Sequence, residues 1–424
     1  MDNFLDKIFL RSRNLDYISQ NLIDLTTQTT ANKIFEALNS YSDNSEVRYV
    51  GGCVRKIIKK ETVDDIDLAT NLKPSEVCEA LKKKEINYYE TGIEHGTITA
   101  IIDSNKYEIT SLRKDISTDG RHAKVEFSLD WKEDAARRDF SINSIYADKD
   151  GNLFDPYNGK KDLENGNINF IGDVENRIKE DYLRILRYVR FFINYSNQSH
   201  NPKIIKIIKK NIGGVSKLSS ERLLDEFKKL TRSTSVLNLF KDDICLELVQ
   251  IIFPQLKNLN NFKKLNSHTQ DNLSKVDFIF LLSLMIVDGT DNTDYFIYKF
   301  KLSKKDQKRL KSIDFFYKEN LNLKNFTEKN LNKIFYYNGK QTVLDIINFK
   351  IFTSLKVEKK LLKLIEIYKN KILPSFPIGA NMIMTKYNIP EGKTLGKKLK
   401  LIEEIWVQNS FQISEKQIKK IIKS

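Results

Sequence analysis

Apolar and polar residues alternate in the first third of the chain, and this pattern predicts short β-strands. The strands are expected at 47–50, 66–70, 96–102 and 107–112. A helix that begins at Pro74 separates the second strand from the third. Pro costs nothing at a first helical position, because its missing N–H would have no partner there. The expected fold of this region is a small sheet with flanking helices.

The apolar period becomes helical from about residue 131, and after Glu180 it stays helical to the end of the chain. A hairpin near Leu153 and a short strand near Ile168 interrupt the helices. Residues 115–130 are polar and predict a flexible loop. The pattern therefore indicates an α+β fold that is followed by an all-α region.

Length and the changes of pattern together predict four parts. The chain of 424 residues contains only 7 Pro and 16 Gly, which favours helices over a protein built from tight β-turns. We expect a head domain with a short N-terminal helical segment at 1–155, a helical neck at 156–235, a helical body at 236–310 and a basic helical tail at 311–424.

The net charge of +15 is concentrated at the C-terminal end of the chain. Residues 301–424 carry 27 basic and 11 acidic side chains, whereas residues 1–300 carry 44 basic and 45 acidic ones. A polyanion such as a nucleic acid suits such a surface, although a general excess of solvated lysines would give the same count. The apolar stretch Phe278–Val287 has ten residues, too few to span a bilayer, so no membrane association is predicted.

Three cysteines, Cys53, Cys78 and Cys245, lie far apart in no paired spacing. They predict free thiols in a reducing compartment rather than a disulfide or zinc framework. The N-terminus mixes acidic and apolar residues and shows no apolar block of the secretory type. A cytoplasmic protein is therefore expected.

Two aspartates and a glycine pair in the first strands have the pattern of a metal and triphosphate site. Asp65 and Asp67 are two positions apart, so in a strand their carboxylates point to the same face. Two carboxylates so close repel each other unless a divalent cation lies between them, and oxygen ligands suit Mg²⁺. Upstream, Gly51 and Gly52 let the backbone approach a phosphate, and Arg55 adds a fixed positive fork.

Glu108 is the candidate for a third carboxylate, which would complete a two-metal site. It occupies a polar position in the strand expected at 107–112. The alternative is an exposed strand position without a role in chemistry.

Two further groups of polar residues are candidates to bind a nucleotide. On a helix, Asp139 and Asn143 are one turn apart and can bond sugar hydroxyls, while Arg138 can reach a phosphate. Asp181 and Arg184 are three positions apart and can together pair with the edge of a base. The alternative for both groups is a surface helix with ion pairs worth only about 0.2–0.5 kcal/mol each.

These residues lie in motifs that resemble those of one known family. The segments GGCVR, DDIDLAT, EITSLRKD, DGRHAKVEF, EDAARRDFSIN, FDPYNGKKDL, EDYLRILRYVRF and SSERLLDEF follow one another over roughly residues 47–235. In this order they resemble the motifs of class II CCA-adding tRNA nucleotidyltransferases. One difference is Lys56, because the family usually has Asp after the Arg of its first motif, and the role of this position stays open.

The resemblance implies a nucleotidyltransferase head of the polymerase-β type, with a small mixed sheet, followed by helical neck, body and tail domains. It implies template-independent addition or repair of the 3′-terminal CCA of tRNA from CTP and ATP, with Mg²⁺ as cofactor. Asp65 and Asp67 would bind the catalytic metal with Glu108 as the third carboxylate, and Gly51, Gly52 and Arg55 would hold the triphosphate.

The resemblance also implies roles for residues farther along the chain. Arg138, Asp139 and Asn143 would contact the sugar and phosphates, and Asp181 and Arg184 would pair with the incoming base in place of a template strand. A flexible loop with Arg121 and His122 would change the preference from C to A. Glu221 and Arg222 would stabilise the neck, and the C-terminal helical domains would bind the acceptor arm and elbow of tRNA.

Three alternatives stay open. A bacterial poly(A) polymerase has the same head and neck. Its subgroup carries a Lys/Arg-Arg-Phe-x-Leu-x-His-Val stretch after the second helix. This chain instead has the sequence TGIEHGT at 91–97, which favours the tRNA enzyme. A second alternative is a partial enzyme that adds only CC or only the terminal A. CC-only enzymes tend to have a damaged flexible loop, and the loop at 115–130 is intact here. A non-catalytic RNA-binding protein is disfavoured because all three acidic residues are present.

Overall fold

The computed structural model describes residues 16–118, 123–232, 236–319 and 326–423. The chain forms two compact units, Met1–Ser219 and Ser220–Ser424. Among the described residues, every strand lies in the first unit, and the second unit is built from helices. The predicted fold class, a mixed sheet with flanking helices followed by an all-α region, is confirmed.

Alternating apolar residues give the first unit its strands, because one face of each strand is buried in the core. The strands expected at 47–50 and 66–70 are confirmed at these bounds, and the hairpin near Leu153 is confirmed as well. The described strands are β1 (Val47–Val50), β2 (Ile66–Thr70), β3 (Asn87–Gly92), β4 (Thr97–Ile102), β5 (Asn105–Ser111), β6 (Arg113–Thr118), β7 (Ala123–Phe127), β8 (Tyr146–Ala147) and β9 (Leu153–Phe154).

Seven of these strands form one mixed sheet in the order β3-β4-β5-β2-β1-β8-β9. β2 and β5 run parallel, and the other neighbours in this sheet are antiparallel. β6 and β7 form a separate antiparallel pair. The parallel pair has a direct consequence for the chemistry, because it sets Asp67 of β2 opposite Glu108 of β5.

The helices of the first unit pack against the sheet and against one another. Apolar side chains of the early helices and of the strands form one cluster that includes Leu22, Phe35, Val54, Leu68 and Ile109. The helices are α1 (Tyr17–Gln28), α2 (Ala31–Asn39), α3 (Gly52–Ile58), α4 (Pro74–Lys83), α5 (Trp131–Arg137), α6 (Gly159–Asn165), α7 (Val174–Glu180), α8 (Leu183–Tyr195) and α9 (Pro202–Asn211).

The second unit has amphipathic helices and one helix that is apolar on all sides. That helix, Phe278–Ile286, is almost wholly buried, as expected for an interior helix. Within the described ranges, no helix combines the length and the apolar character that a membrane crossing requires. The helices are α10 (Ser220–Thr231), α11 (Val236–Lys241), α12 (Asp243–Ile252), α13 (Ser267–Asn272), α14 (Phe278–Ile286), α15 (Asn292–Phe300), α16 (Lys304–Lys318), α17 (Glu328–Asn338), α18 (Lys340–Thr353), α19 (Lys359–Asn370), α20 (Ala380–Tyr387), α21 (Lys393–Gln408) and α22 (Glu415–Lys423).

Two predictions about the loops and strands of the first unit are wrong. Much of the polar segment 115–130, expected as a loop, forms β6 and β7, because each strand supplies the hydrogen-bonding partners of the other. The strand expected near Ile168 is reduced to one isolated bridge between Phe140 and Phe170. Arg121 and His122 lie outside the described residues.

Candidate active site

Three acidic side chains gather where β2 and β5 lie side by side. Asp67 lies in β2, and Asp65 is the residue directly before the first residue of β2. The parallel register places Asp67 opposite Glu108. Asp65 and Glu108 are exposed, whereas Asp67 is half-buried. Burial raises the pKa of the Asp67 carboxyl, and the charges of Glu108 and Asp65 raise it further. The structure thus brings the three predicted carboxylates together.

This set of donors fits a divalent cation. Carboxylate oxygens are hard ligands, and a cation among three neighbouring acids relieves the repulsion that raises the pKa of Asp67. Positive charge is already close, because Arg138 and Arg55 act on the same carboxyl in the opposite direction and lower its pKa. Acidic and cationic side chains therefore lie within one site.

Gly51 and Gly52 bring the backbone close to these acids. Gly51 has φ +69° and ψ −113°, which strongly favours glycine, and it directly precedes α3. A Cβ atom on Gly52 would lie 3.7 Å from Asp67 Oδ2, which shows how closely the backbone approaches the carboxylate. Cys53 is buried below, where its Sγ donates to the Asp67 carbonyl at 3.6 Å, and burial raises the pKa of this thiol to about 11.

Arg55 extends from α3 into the interior of the first unit. Its side chain is buried, Nη1 donates to Asn143 Oδ1, and the guanidinium carbon lies 4.9 Å from the centroid of the Phe191 ring. Its Nε is buried and has no hydrogen-bond partner among the described residues. A buried cationic donor of this kind can bind an anionic ligand without first breaking a bond.

Asp139 and Asn143, the predicted sugar-binding pair, are buried and bonded to each other. Asn143 Nδ2 donates to Asp139 Oδ1 at 2.8 Å, and the backbone N–H of Phe140 donates to the same oxygen at 2.9 Å. Arg187 Nη1 lies 2.9 Å from Asp139 Oδ2. Burial works against ionisation, but Arg187 and the bond from Asn143 hold the pKa of Asp139 below its usual value.

The prediction that one helix carries both Asp139 and Asn143 is wrong. α5 ends at Arg137, Arg138 is extended, and Asn143 closes a short 3-10 helix that begins at Ser141. Phe140 packs its ring against Phe191 at a centroid distance of 5.3 Å, and this anchors the segment between the two helices. Tertiary packing, not helical spacing, therefore brings Asp139 to Asn143.

The short 3-10 helix is held in place by the start of α6. Asp155 caps α6 by accepting from the backbone N–H groups of Gly159 and Lys160 at 2.7 and 2.8 Å. Ser141 Oγ donates to Asp162 Oδ2 at 2.5 Å. A Cβ atom at Gly159 would collide with the Ser141 carbonyl, so this close approach requires glycine.

Arg138 is held by a buried acid that the sequence analysis did not select. Its Nη2 and Nε lie 3.0 and 3.2 Å from Asp134 Oδ2, and Nε also donates to Tyr146 Oη at 2.9 Å. Tyr146 donates to the same carboxylate at 2.6 Å. Arg138 and Arg137 outweigh the effect of burial and hold the pKa of Asp134 well below its usual value. These bonds leave Arg138 Nη1 only a long 3.5 Å contact, with the Asn143 carbonyl.

Asp181 and Arg184 lie at the junction of α7 and α8 rather than on one helix. Asp181 Oδ1 accepts from the backbone N–H of Leu183 at 3.1 Å, at the start of α8. Arg184 Nη1 donates to Glu180 Oε2 at 2.6 Å and to the Arg177 carbonyl at 2.7 Å. Within the described part of the chain, Nε and Nη2 of Arg184 make no hydrogen bond and stay available to a ligand.

The remaining candidates have simpler surroundings. Glu221 and Arg222 lie on α10 in the second unit. Lys56 Nζ forms an ion pair with Asp64 Oδ2 at 2.8 Å, next to the predicted metal ligands. All three cysteines are buried as free thiols, as predicted.

Comparison with known proteins identifies the family. The model of the poly A polymerase head domain matches residues 47–169. The mitochondrial CCA tRNA nucleotidyltransferase 1 of Homo sapiens is 32% identical over 396 residues, which cover 90% of this chain and 87% of the human protein. The chain belongs to the CCA-adding tRNA nucleotidyltransferase family. Nucleotidyltransferases of this family generally use divalent metal ions, in agreement with the acidic donor set.

Bacterial members of the CCA-adding family are also similar. The CCA-adding enzyme of Lactobacillus johnsonii is 38% identical over 187 residues, which cover 44% of this chain and 46% of the bacterial one. The crystal structure of the Bacillus stearothermophilus CCA-adding enzyme in complex with CTP aligns with a TM-score of 0.72 at 20% identity. The alignment covers 93% of this chain and 96% of that one. This likeness shows that the fold is shared along nearly the whole chain.

The sequence analysis did not select several residues that contact the predicted site residues. They are Asp134 and Tyr146, which contact Arg138, Glu180, which contacts Arg184, and Arg187, which contacts Asp139. Spacing offered a signal for some of them, because Asp134 precedes Arg137 and Arg138 by three and four positions and Glu180 precedes Arg184 by four. No local signal exists for Tyr146 or Arg187, whose partners Asp134 and Asp139 lie 12 and 48 positions upstream.

Proposed function

We propose that the protein adds or repairs the 3′-terminal CCA of tRNA, using CTP and ATP. The observation that carries this proposal is the meeting of three carboxylates with a glycine–arginine phosphate site at the parallel β2–β5 pair, in a chain of the CCA-adding family. The reaction is the attack of the tRNA 3′ hydroxyl on the α-phosphorus of the nucleoside triphosphate. Pyrophosphate leaves on the opposite side.

Asp65, Asp67 and Glu108 would hold divalent cations, for which we propose Mg²⁺. Bound there, Mg²⁺ supplies two effects: a lower pKa for the attacking hydroxyl and neutralisation of charge on the leaving pyrophosphate. Arg55 would bind the triphosphate, and its buried Nε without a partner supports this role. Arg138 would add a second cation, held in one orientation by Asp134 and Tyr146. Such fixed charges need no rearrangement during the reaction.

We propose that the incoming base is selected by Asp181 and Arg184. Glu180 and the Arg177 carbonyl restrain one end of the Arg184 guanidinium, and its other two nitrogens stay available as donors. A carboxylate acceptor and a guanidinium donor together match the donors and acceptors along one edge of cytosine or adenine. Replacing Asp181 with Ala should therefore impair discrimination against UTP and GTP more than triphosphate affinity, and equal discrimination would contradict the role.

The helical second unit would bind the body of the tRNA. Tyr295 and Tyr298 of α15 are 53% and 82% exposed, and they border a shallow hollow of about 750 Å³. Lys299, Lys301 and Lys311 line the same hollow. Exposed rings beside lysines suit RNA, because bases stack on the rings while the ammonium groups attract phosphates. We call these five residues the tyrosine–lysine surface.

A primer-extension assay tests the proposed function. The protein is incubated with tRNA that lacks its 3′ end, and CTP and ATP are supplied separately and together. We expect two added nucleotides with CTP alone and three with both. A long tail from ATP alone would indicate a poly(A) polymerase, and arrest after CC or growth only on tRNA that already ends in CC would indicate a partial enzyme.

The predicted cytoplasmic location is kept as a proposal. It rests on three buried free thiols, which suit a reducing compartment. Fractionation of cells that express the tagged full chain tests it, and recovery in another compartment would contradict it.

A further inference from the structure

Arg187 connects the helix that carries Arg184 to the proposed sugar site. It lies on α8, three positions after Arg184, and its Nη1 is 2.9 Å from Asp139 Oδ2. On its other side, Asp139 accepts from Asn143, and Asn143 accepts from Arg55 of α3. One continuous set of contacts therefore runs from the triphosphate residue Arg55 to the base-recognition helix α8.

The two oxygens of Asp139 are held differently. Oδ1 accepts two hydrogen bonds, from Asn143 and from the backbone of Phe140. Oδ2 is buried and faces Arg187 as an ion pair, but it accepts no aligned hydrogen bond among the described residues. The hydrogen bonds to Oδ1 and the ion pair at Oδ2 together fix the orientation of the Asp139 carboxylate. One lone pair of Oδ2 is left to accept from a further donor.

A sugar hydroxyl is the donor that suits this position. A carboxylate accepts strongly from a hydroxyl group, and a buried acceptor without a partner costs free energy that such a ligand recovers. Nε of Arg187 is also buried without a partner in the described ranges, although 32% of the side chain is exposed. An ion pair serving stability alone would have no need of two unused polar atoms at the same place.

We propose that Arg187 is a positioning residue that fixes the Asp139 carboxylate for the nucleotide sugar and thereby sets the preference for ribonucleotides over 2′-deoxyribonucleotides. This inference rests on the proposed function, in which Asp139 contacts the sugar. Arg187 acts on the sugar only through Asp139. Loss of Arg187 should therefore weaken the use of CTP while affecting dCTP much less.

The test compares kcat/KM for CTP and dCTP in the full chain with tRNA lacking its 3′ end. The variants are Arg187→Gln, Arg187→Lys, Asp139→Asn and, as a matched loss of one positive charge in the same unit, Lys206→Gln on the exposed face of α9. We expect Arg187→Gln to reduce the CTP/dCTP ratio about tenfold or more, since a hydrogen bond to a charged group is at stake. Arg187→Lys should retain part of the preference, and Lys206→Gln all of it.

The outcomes separate this inference from the function on which it rests. Asp139→Asn should also reduce the ratio, and an unchanged ratio in that variant would refute the sugar role of Asp139. A reduced ratio in Asp139→Asn but not in Arg187→Gln would overturn the role of Arg187 alone. Equal losses for CTP and dCTP in Arg187→Gln would show a purely structural residue. If Arg187→Gln does not fold, an unchanged ratio in Arg187→Lys overturns the inference.

Discussion

The charged side chains of the candidate active site and those of the tyrosine–lysine surface are held in different ways. In the first unit, Arg55, Asp134 and Asp139 are buried, and each is bound to defined partners. In the second unit, the side chains of the tyrosine–lysine surface are exposed, except for Lys299, which is half-buried. Buried charge also occurs in the second unit, because Asp314 and Asp345 are buried and Arg309 is largely buried between Asp277 and Asp345.

The difference follows from what each region is proposed to do with an RNA substrate. Phosphoryl transfer depends on reacting groups held in one orientation, so charges near the reaction must be fixed even where burial is costly. Attraction of a tRNA depends on the number of cations near its phosphates and tolerates side chains that move. Substitutions in the first unit should therefore act sharply, and those in the second unit gradually.

The sharpest test of this contrast is Asp67→Asn. We expect incorporation to fall by about 10²–10³-fold or more, because a proposed metal ligand loses its charge. The stability of the folded protein should not fall in this variant. Folding raises the pKa of Asp67, so the ionised carboxylate lowers the free energy of unfolding. This destabilisation is complete above the pKa of the folded state and is lost as the pH falls through it. Denaturation with a chelator present should show equal or greater stability for the variant at neutral pH, and near-normal activity would refute the assignment.

Arg309→Gln tests the buried charges of the second unit. Arg309 donates from Nε and Nη2 to Asp345 at 2.8 and 3.0 Å, and from Nη1 and Nη2 to Asp277 at 3.0 and 2.8 Å. Its removal leaves the buried Asp345 without that cation, so we expect a loss of about 3 kcal/mol in the free energy of unfolding.

The control for Arg309 is an exposed ion pair in the same unit. Lys311 pairs with Asp294 at 2.8 Å, and both side chains are more than half exposed. Lys311→Gln should cost about 0.5 kcal/mol or less. Equal losses in the two variants, measured by urea denaturation, would remove the distinction between fixed and exposed charge within this unit.

Tyr298→Ala should give a graded effect on tRNA binding and leave the chemical step in place. The ring is exposed, so stability should not change, while loss of one stacked base raises the KM for tRNA by the equivalent of about 1–3 kcal/mol. Tyr298→Phe should keep the affinity. The control is Tyr89→Ala, which removes another exposed ring, 60% exposed against 82% for Tyr298, from β3 of the first unit. A KM unchanged by Tyr298→Ala would exclude the tyrosine–lysine surface from RNA binding.

The local pattern of apolar and polar residues was sufficient to predict the strands next to the glycine pair and the aspartates of the site. β1 and β2 begin and end where alternation predicts, and Gly51 adopts a positive φ for which glycine is suited. The pattern did not predict that β2 and β5 are parallel neighbours. That pairing joins segments far apart in the chain, and it is what brings Glu108 to Asp67.

The arrangement of Asp139, Asn143 and Arg187 depends on tertiary packing, which their spacing in the sequence does not predict. Asp139 and Asn143 are four positions apart, which suggests a helix, but the bridge from Phe140 to Phe170 pulls the chain out of helical geometry. Arg187 could not have been assigned to Asp139 from the sequence, because neither α7 nor α8 contains a signal for where it packs. The loop predicted at 115–130 was wrong for a similar reason, because the antiparallel pairing of β6 with β7 is not visible in the local polar pattern.

The parallel pairing of β2 with β5 also has a consequence for synthesis on the ribosome. Asp67 and Glu108 are separated by 41 positions, and a parallel pair cannot close until both strands have left the exit tunnel. Asp139 and Arg187 emerge later still. A nascent chain therefore carries no complete catalytic centre until most of the first unit has been translated, and products that end before Arg187 lack part of the proposed site.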